Sequence, residues 1–171
     1  MTVTLRAAVP TDAGEISRLY AQSWRAAYPG LVPQSYLDEL QDHHWTQTVA
    51  DWITTGRFTA LLAFEKEVIA GCAIYGRARE EKYEGWGELV SLYVMPGRFR
   101  KGYGSRLVKR MVQEMKAQGL SGCYLWVLDG NRRARAFYEK AGFEDTGETL
   151  TFTLADAPLL DCRYQMEFKP R

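Results

Sequence analysis

RFRKGYGSRL (Arg98–Leu107) divides two patterns of different period. Before it, the apolar run Gly87 to Val94 reads as a strand. After it, Leu107, Val108, Met111, Val112 and Met115 recur at helical spacing and predict a helix from Gly102 to Gln118. A strand, a basic glycine turn and a helix start together suit a phosphate. The first N–H groups of a helix lack carbonyl partners, and its dipole favours negative charge there. Gly102 and Gly104 place no Cβ between the main chain and an anion. Arg98, Arg100, Lys101, Arg106, Lys109 and Arg110 supply charge, and no acidic residue falls between Glu88 and Glu114. Spacing excludes two other phosphate loops. A dinucleotide turn needs a third glycine where Leu107 stands, and a nucleoside-triphosphate loop ends in Gly-Lys-Ser/Thr, whereas Lys101 precedes the glycines.

A second strand–turn–helix follows. Cys123 to Leu128 is apolar, Asp129-Gly130 is a turn, and NRRARAFYEKAGF (Asn131–Phe143) places Ala134, Phe137, Tyr138 and Ala141 on one helical face. Asn131 is a plausible N-cap and Gly142 suits the position just past the helix end.

Together the two motifs resemble the GCN5-related N-acetyltransferase (GNAT) superfamily over nearly the whole chain. The first is similar to its pyrophosphate turn, Gln/Arg-x-x-Gly-x-Gly/Ala, and the second to its Asn…Ala…Phe-Tyr…Gly-Phe helix. One position departs: Phe99 stands where Gln or Arg is usual, leaving Arg98 or Arg100 as candidate replacements. The resemblance implies an α/β fold with a mixed, mostly antiparallel sheet, splayed central strands (here Gly87–Val94 and Cys123–Leu128) and helices on both faces. It implies acetyl-CoA as acetyl donor, held along Leu92, Tyr93 and Val94, along Phe99, Arg100, Lys101, Gly102, Tyr103, Gly104 and Ser105, and by Asn131, Ala134, Phe137 and Tyr138. It also implies a main-chain N–H at Tyr93 or Val94 for the tetrahedral oxyanion and allows a homodimer, while the spacing of Cys and His gives no metal site.

The 171 residues suit one domain, 1–171, large enough to bury a core. Lys and Arg number 22 against 21 Asp and Glu, which argues against bulk nucleic-acid binding. Cys72, Cys123 and Cys162 lie far apart in apolar runs without metal-ligand spacing, and read as buried free thiols in a reducing cytoplasm. His43-His44 reads as a solvated helix face. No run reaches the roughly 18 apolar residues of a membrane span, and no signal-peptide pattern opens the chain.

Elsewhere the patterns predict a strand at Thr2–Ala8 and a helix started by a capping box of Asp12 and Glu15. Short helices follow at Pro33–Leu40 and His43–Thr54. Strands are predicted at Arg57–Phe64, Val68–Arg77, Phe143–Thr153 and Arg163–Phe168.

Acetylating an amine requires a proton to leave it. A lysine-like amine with pKa of about 10.4 is neutral in about one molecule in 2,500 at pH 7, a barrier of about 4.6 kcal/mol. Glu88, the acid within the Gly87–Val94 strand, is the candidate base, with Glu80, Glu81 and Glu84 in reserve. The histone-acetylating branch of the resembled family has its base at the matching place. Tyr138 can protonate the departing thiolate, as the family's tyrosine does. Trp24, Tyr28, Tyr83 and Trp86 are candidate walls for a cationic acceptor amine, either a small molecule or a peptide. A non-catalytic acyl-CoA-binding module is the rival reading; it would keep the glycine turn without acid or base.

Overall fold

The computed structural model describes residues 2–170. The elements run β1 (Val3–Ala7), a 3-10 turn (Pro10–Asp12), α1 (Ala13–Ala27), α2 (Gln34–Glu39), α3 (Thr46–Thr55), β2 (Thr59–Glu65) and β3 (Val68–Arg77). A second 3-10 turn (Glu81–Tyr83) leads to β4 (Gly87–Val94), α4 (Tyr103–Ala117), β5 (Gly122–Leu128), α5 (Arg132–Lys140), β6 (Glu144–Leu154) and β7 (Ala157–Glu167). Seven strands form one sheet in the order β1-β2-β3-β4-β5-β7-β6. Every pairing is antiparallel except β4 with β5, which a helical crossover makes parallel.

Strand alternation sorts the core into two layers. Ala60, Leu62, Cys72 and Ile74 meet Ile16, Leu19 and Tyr20 of α1 and Val49 of α3. Leu61, Ala63, Ala73, Tyr75, Leu89, Cys123 and Leu125 turn the other way, onto Leu107, Met111 and Met115 of α4 and Tyr138 of α5. Helices therefore cover both faces, as expected. All three cysteines are buried and free. Burial pushes the Cys72 and Cys123 thiols far up, and Cys162 to about 11, so none is a ready thiolate at neutral pH.

The central feature is a parting of strands. β4 and β5 pair only at Gly87–Leu89 with Cys123–Leu125. The β3–β4 register slips at the same level: Tyr75 faces Leu89 but Ile74 faces Ser91, leaving Val90 as a bulge residue. A bulge bends its strand and resets which side chains face where. Val90 packs with the α1 layer, and Ser91 shares a hydrogen bond with the Tyr20 hydroxyl of α1. Beyond them Leu92 and Val94 join the α4 layer, while Tyr93 joins the α1 layer. The bulge thus opens a V and decides that Tyr93 faces α1 inside it.

Three sequence expectations need correcting. The Asp12–Glu15 capping box does not form. The Asp12 carboxylate accepts the Val9 N–H at 2.8 Å and pairs with Arg6, so it caps the 3-10 turn ahead of α1. Helix α3 begins at Thr46, because His43–Trp45 form a turn whose Trp45 N–H donates to Ser17 Oγ at 2.9 Å. The last strand begins at Ala157, not Arg163. Ala155 and Asp156, with φ of 48° and 61°, close a tight hairpin that carries residues 157–162 into the sheet.

Trp86 guards the closed end of the V. An added Cβ on Gly122 would lie 2.5–2.7 Å from three atoms of its indole. Gly122→Ala is therefore expected to cost about 1–3 kcal/mol, read as a lowered midpoint in thermal or urea unfolding.

Candidate active site

The basic turn has left-handed backbone at two positions just ahead of a helix start. Arg100 (φ 62°) and Gly102 (φ 83°) take left-handed conformations, and α4 begins immediately after at Tyr103. The Arg106 N–H is bonded to Gly102 O at 3.1 Å, so the N–H groups before it open the helix where an anion is favoured. The glycines have different tasks. Gly102 supplies the backbone conformation and has open space where a Cβ would be. Gly104 is a packing residue: a Cβ there would sit 3.1 Å from Phe137 of α5.

The charges of the turn are divided. Arg98 is ion-paired with Glu65, and Lys101 lies 3.9 Å from the same carboxylate. This removes Arg98 as a replacement for the missing Gln/Arg. Phe99, at that position, instead lies under the guanidinium of Arg133, 3.6 Å from its ring centre. Arg133 sits in the first turn of α5, whose start Asn131 caps by accepting the Ala134 N–H at 3.2 Å. A guanidinium from the neighbouring helix thus stands over the position where Gln or Arg is usual. Sequence spacing gave no sign of this, since the two residues are far apart along the chain.

At the mouth of the V the hydroxyl of Tyr93 gathers its neighbours. The Trp24 indole donates to it at 2.9 Å, the Tyr28 hydroxyl is 3.4 Å away, and the Tyr20 ring meets the Tyr93 ring edge-on at 4.6 Å. Tyr138 is buried from the opposite layer, between Phe137 and Phe143. Burial, and secondarily Tyr93, push its phenol well above the ordinary value, so it stays protonated and can donate.

Glu88 is not at this mouth. It is 3% exposed at the closed end, opposite Tyr124 in the short β4–β5 pairing. Arg79 holds both of its oxygens, Nε to Oε2 at 2.9 Å and Nη2 to Oε1 at 2.7 Å. Both oxygens are thus committed to one guanidinium by charge-assisted hydrogen bonds. Of the reserve acids, Glu80 accepts from Arg163 at 2.6 Å and from Trp126 at 3.1 Å. Burial pushes Glu80 up, but these partners outweigh it and hold its carboxyl below the usual range. Glu81 and Glu84 are exposed.

The four candidate wall residues fall into two groups. Trp24 and Tyr28 meet edge-to-face at 4.9 Å beside Tyr93, with Leu128 and Leu159 in the same cluster. Tyr83 and Trp86 meet edge-to-face at the closed end. There Tyr83, Tyr124 and Trp126 box the buried Arg163 guanidinium at 4.5, 4.8 and 4.3 Å. A residue the sequence reading overlooked stands on the open side. Asp161 of β7 faces Leu128, the last residue of β5, and burial raises its carboxyl to about 6. Among the described residues no cluster of His, Cys, Asp and Glu could hold a metal ion, and no helix is long and apolar enough to cross a membrane.

The Arg79–Glu88 pair is half open to water on the arginine side, so its loss is screened. Arg79→Ala is expected to destabilise the fold by about 1–3 kcal/mol, less than a fully buried pair would. Adding Glu88→Gln should restore part of it, as measured by urea unfolding of the single and double variants.

The comparisons agree with this geometry. Residues 16–143 match the model of the acetyltransferase (GNAT) family. An uncharacterised N-acetyltransferase, YuaI of Bacillus subtilis (strain 168), is 31% identical over 130 residues, spanning 75% of this chain and 73% of the relative. An uncharacterised N-acetyltransferase of Mycobacterium tuberculosis (strain H37Rv) is 29% identical over 145 residues, 84% of this chain and 90% of its own. Among solved structures, the PaiA N-acetyltransferase of Thermoplasma acidophilum in complex with coenzyme A superposes with a TM-score of 0.81 at 20% identity, covering 98% of this chain and all of that one. YncA of Salmonella typhimurium, a putative acetyltransferase with acetyl-CoA, gives 0.77 at 19% identity, covering all of this chain and 96% of its own. The family match spans most of the sequence and both motifs from which the site is built, and the chain belongs to the GNAT family of acetyltransferases.

Proposed function

We propose that the protein transfers acetyl from acetyl-CoA directly to a primary amine, with no covalent enzyme intermediate. The observation that carries this reading is the V between β4 and β5, which ends at the glycine turn and has Tyr138 buried beside it. The diphosphate of coenzyme A is held by the main chain from Phe99 to Ser105 at the start of α4, with Arg133 on its Phe99 platform adding charge. The pantetheine arm lies along Leu92–Val94, whose edge toward β5 the bulge has freed from strand pairing. A main-chain N–H at Tyr93 or Val94 receives the oxyanion. Tyr138, kept protonated by burial, gives its proton to the departing sulfur. The buried, protonated cysteines support direct transfer. The acceptor enters from the α1 side, past Trp24 and Tyr28. Their ring faces suit a cationic amine, on a small molecule or a peptide.

Calorimetry with coenzyme A and acetyl-CoA, followed by release of free CoA across polyamines, aminoglycosides, amino acids and peptides, tests the assignment. Well-folded protein giving no binding heat would overturn it, and binding without turnover on any amine would favour the acyl-CoA-binding module. Arg133→Ala is expected to weaken CoA binding about 5- to 30-fold, since one exposed-to-desolvated cation contributes about 1–2 kcal/mol. Tyr138→Phe should leave that binding unchanged and lower kcat by about 100-fold.

A further inference from the structure

The carboxylates of this protein sort by partner. Asp12, Glu65, Glu80, Glu88 and Glu114, all at least partly buried, each lie against an arginine: Arg6, Arg98, Arg163, Arg79 and Arg110 respectively. Asp161 is also withdrawn from solvent, yet among the described residues its carboxylate has no hydrogen bond and no ion pair. An unpaired, half-buried carboxylate is costly and calls for a use.

Its surroundings suggest the use. Alternation along β7 puts Leu159, Asp161, Arg163 and Gln165 on the face that looks toward the aromatic mouth. Asp161 lies between Leu159, which packs with Tyr28, Trp24 and Leu128, and the boxed Arg163. Its cross-strand partner Leu128 packs in the same cluster as Tyr28 and Tyr93, whereas Tyr138 belongs to the core layer on the other face of the sheet. Asp161 and Tyr138 therefore approach the opened strands from opposite sides.

We propose that Asp161 is the general base of the transfer, a role that rests on the N-acetyltransferase reading above. Its carboxylate takes one proton from the acceptor ammonium. The freed nitrogen lone pair attacks the thioester carbon, forming the C–N bond. The tetrahedral intermediate collapses with cleavage of the C–S bond, and the sulfur leaves with the Tyr138 proton. The second proton on the nitrogen restores Tyr138, and Asp161 releases its own to water. Glu88 remains the structural partner of Arg79.

The titration behaviour fits this role. Burial raises the Asp161 carboxyl to about 6, closer to the working pH than an ordinary aspartate and so a better proton acceptor. The other groups facing it are the phenols of Tyr28 and Tyr93, which titrate far higher, and Arg163 with its partners Glu80 and Glu148 on β6. On the reverse side of β7, Asp129 and Arg135 pair with each other. The sign for stability is opposite to that for activity. A carboxyl whose folded pKa exceeds its unfolded value destabilises the fold as pH rises from about 4 to about 6, so neutralising it should not lower stability at pH 7.

The test is a kcat and KM profile from pH 5 to 9 with the best amine of the panel, on wild type, Asp161→Asn and Glu88→Gln, alongside melting temperatures and calorimetry with CoA. Expected are an acidic limb in wild-type kcat/KM with a midpoint near 6, and its loss in Asp161→Asn. In that variant kcat at pH 7 should fall about 100-fold, with CoA affinity kept and melting temperature equal or higher. Glu88→Gln should keep the limb. An active wild type with Asp161→Asn within about threefold of its kcat, or raised in KM alone, overturns the assignment of Asp161 and leaves the transfer reading intact. A wild type that binds acetyl-CoA but acetylates no amine removes the transfer reading, and Asp161 as base with it.

Discussion

The site depends on strands failing to pair. A sheet interior normally satisfies every main-chain group, and unpaired N–H and C=O groups there are costly. Here the bulge at Val90 ends the β4–β5 ladder after Leu89 while β4 stays bonded to β3 as far as Val94. The freed edges leave main-chain groups of β4 beyond Leu89 without a β5 partner, which is what the proposed pantetheine arm would meet. The same one-residue slip turns Tyr93 toward α1 and sets Leu92 and Val94 beneath α4. Without it, Tyr93 would face the α4 layer, and the cluster of Trp24, Tyr28 and Tyr93 at the mouth could not assemble.

Both ends of the V are fixed by packing. At the closed end Trp86 lies over Gly122, and Arg163 is enclosed by three rings and two carboxylates. At the open end Gly104 lets Phe137 close against α4, which locks α5, and with it Tyr138, to the phosphate turn. The positions of Tyr138 and of the glycine turn are thus coupled through one close contact, in which a Cβ on residue 104 would sit 3.1 Å from Phe137.

Much of this was readable in the residues, because helical and strand periods are local signals. Val68–Arg77 and Gly87–Val94 lie where the apolar runs put them, and α4 and α5 follow the spacing of their apolar faces. What escaped has a physical reason in each case. A bulge leaves no mark in a period-two pattern, since Val90 and Ser91 look like successive strand residues. The hairpin turn Ala155-Asp156 lacks the Asn-Gly or Asp-Gly that usually marks two left-handed residues, so Ala157–Cys162 fell outside the predicted strands and Asp161 dropped out of view. Phe99 looked like a loss of charge, because a cation stacked on it from another helix cannot be inferred from either segment alone.

The fate of Glu88 shows why residue type in a strand is weaker evidence than its partner. Position alone favoured it: a carboxylate within an apolar strand beside the cofactor groove. Arg79, ahead of the second 3-10 turn, reaches back and takes both oxygens in charge-assisted hydrogen bonds, so the side chain already has its partner. Asp161 has the reverse balance. It is partly desolvated without a cation to compensate, which makes proton uptake easier and leaves its lone pairs available to an incoming ammonium. A substrate cation arriving there would supply the missing partner. The binding step would then relieve the burial cost of the carboxylate, so that recognising the amine and removing its proton draw on the same unpaired charge.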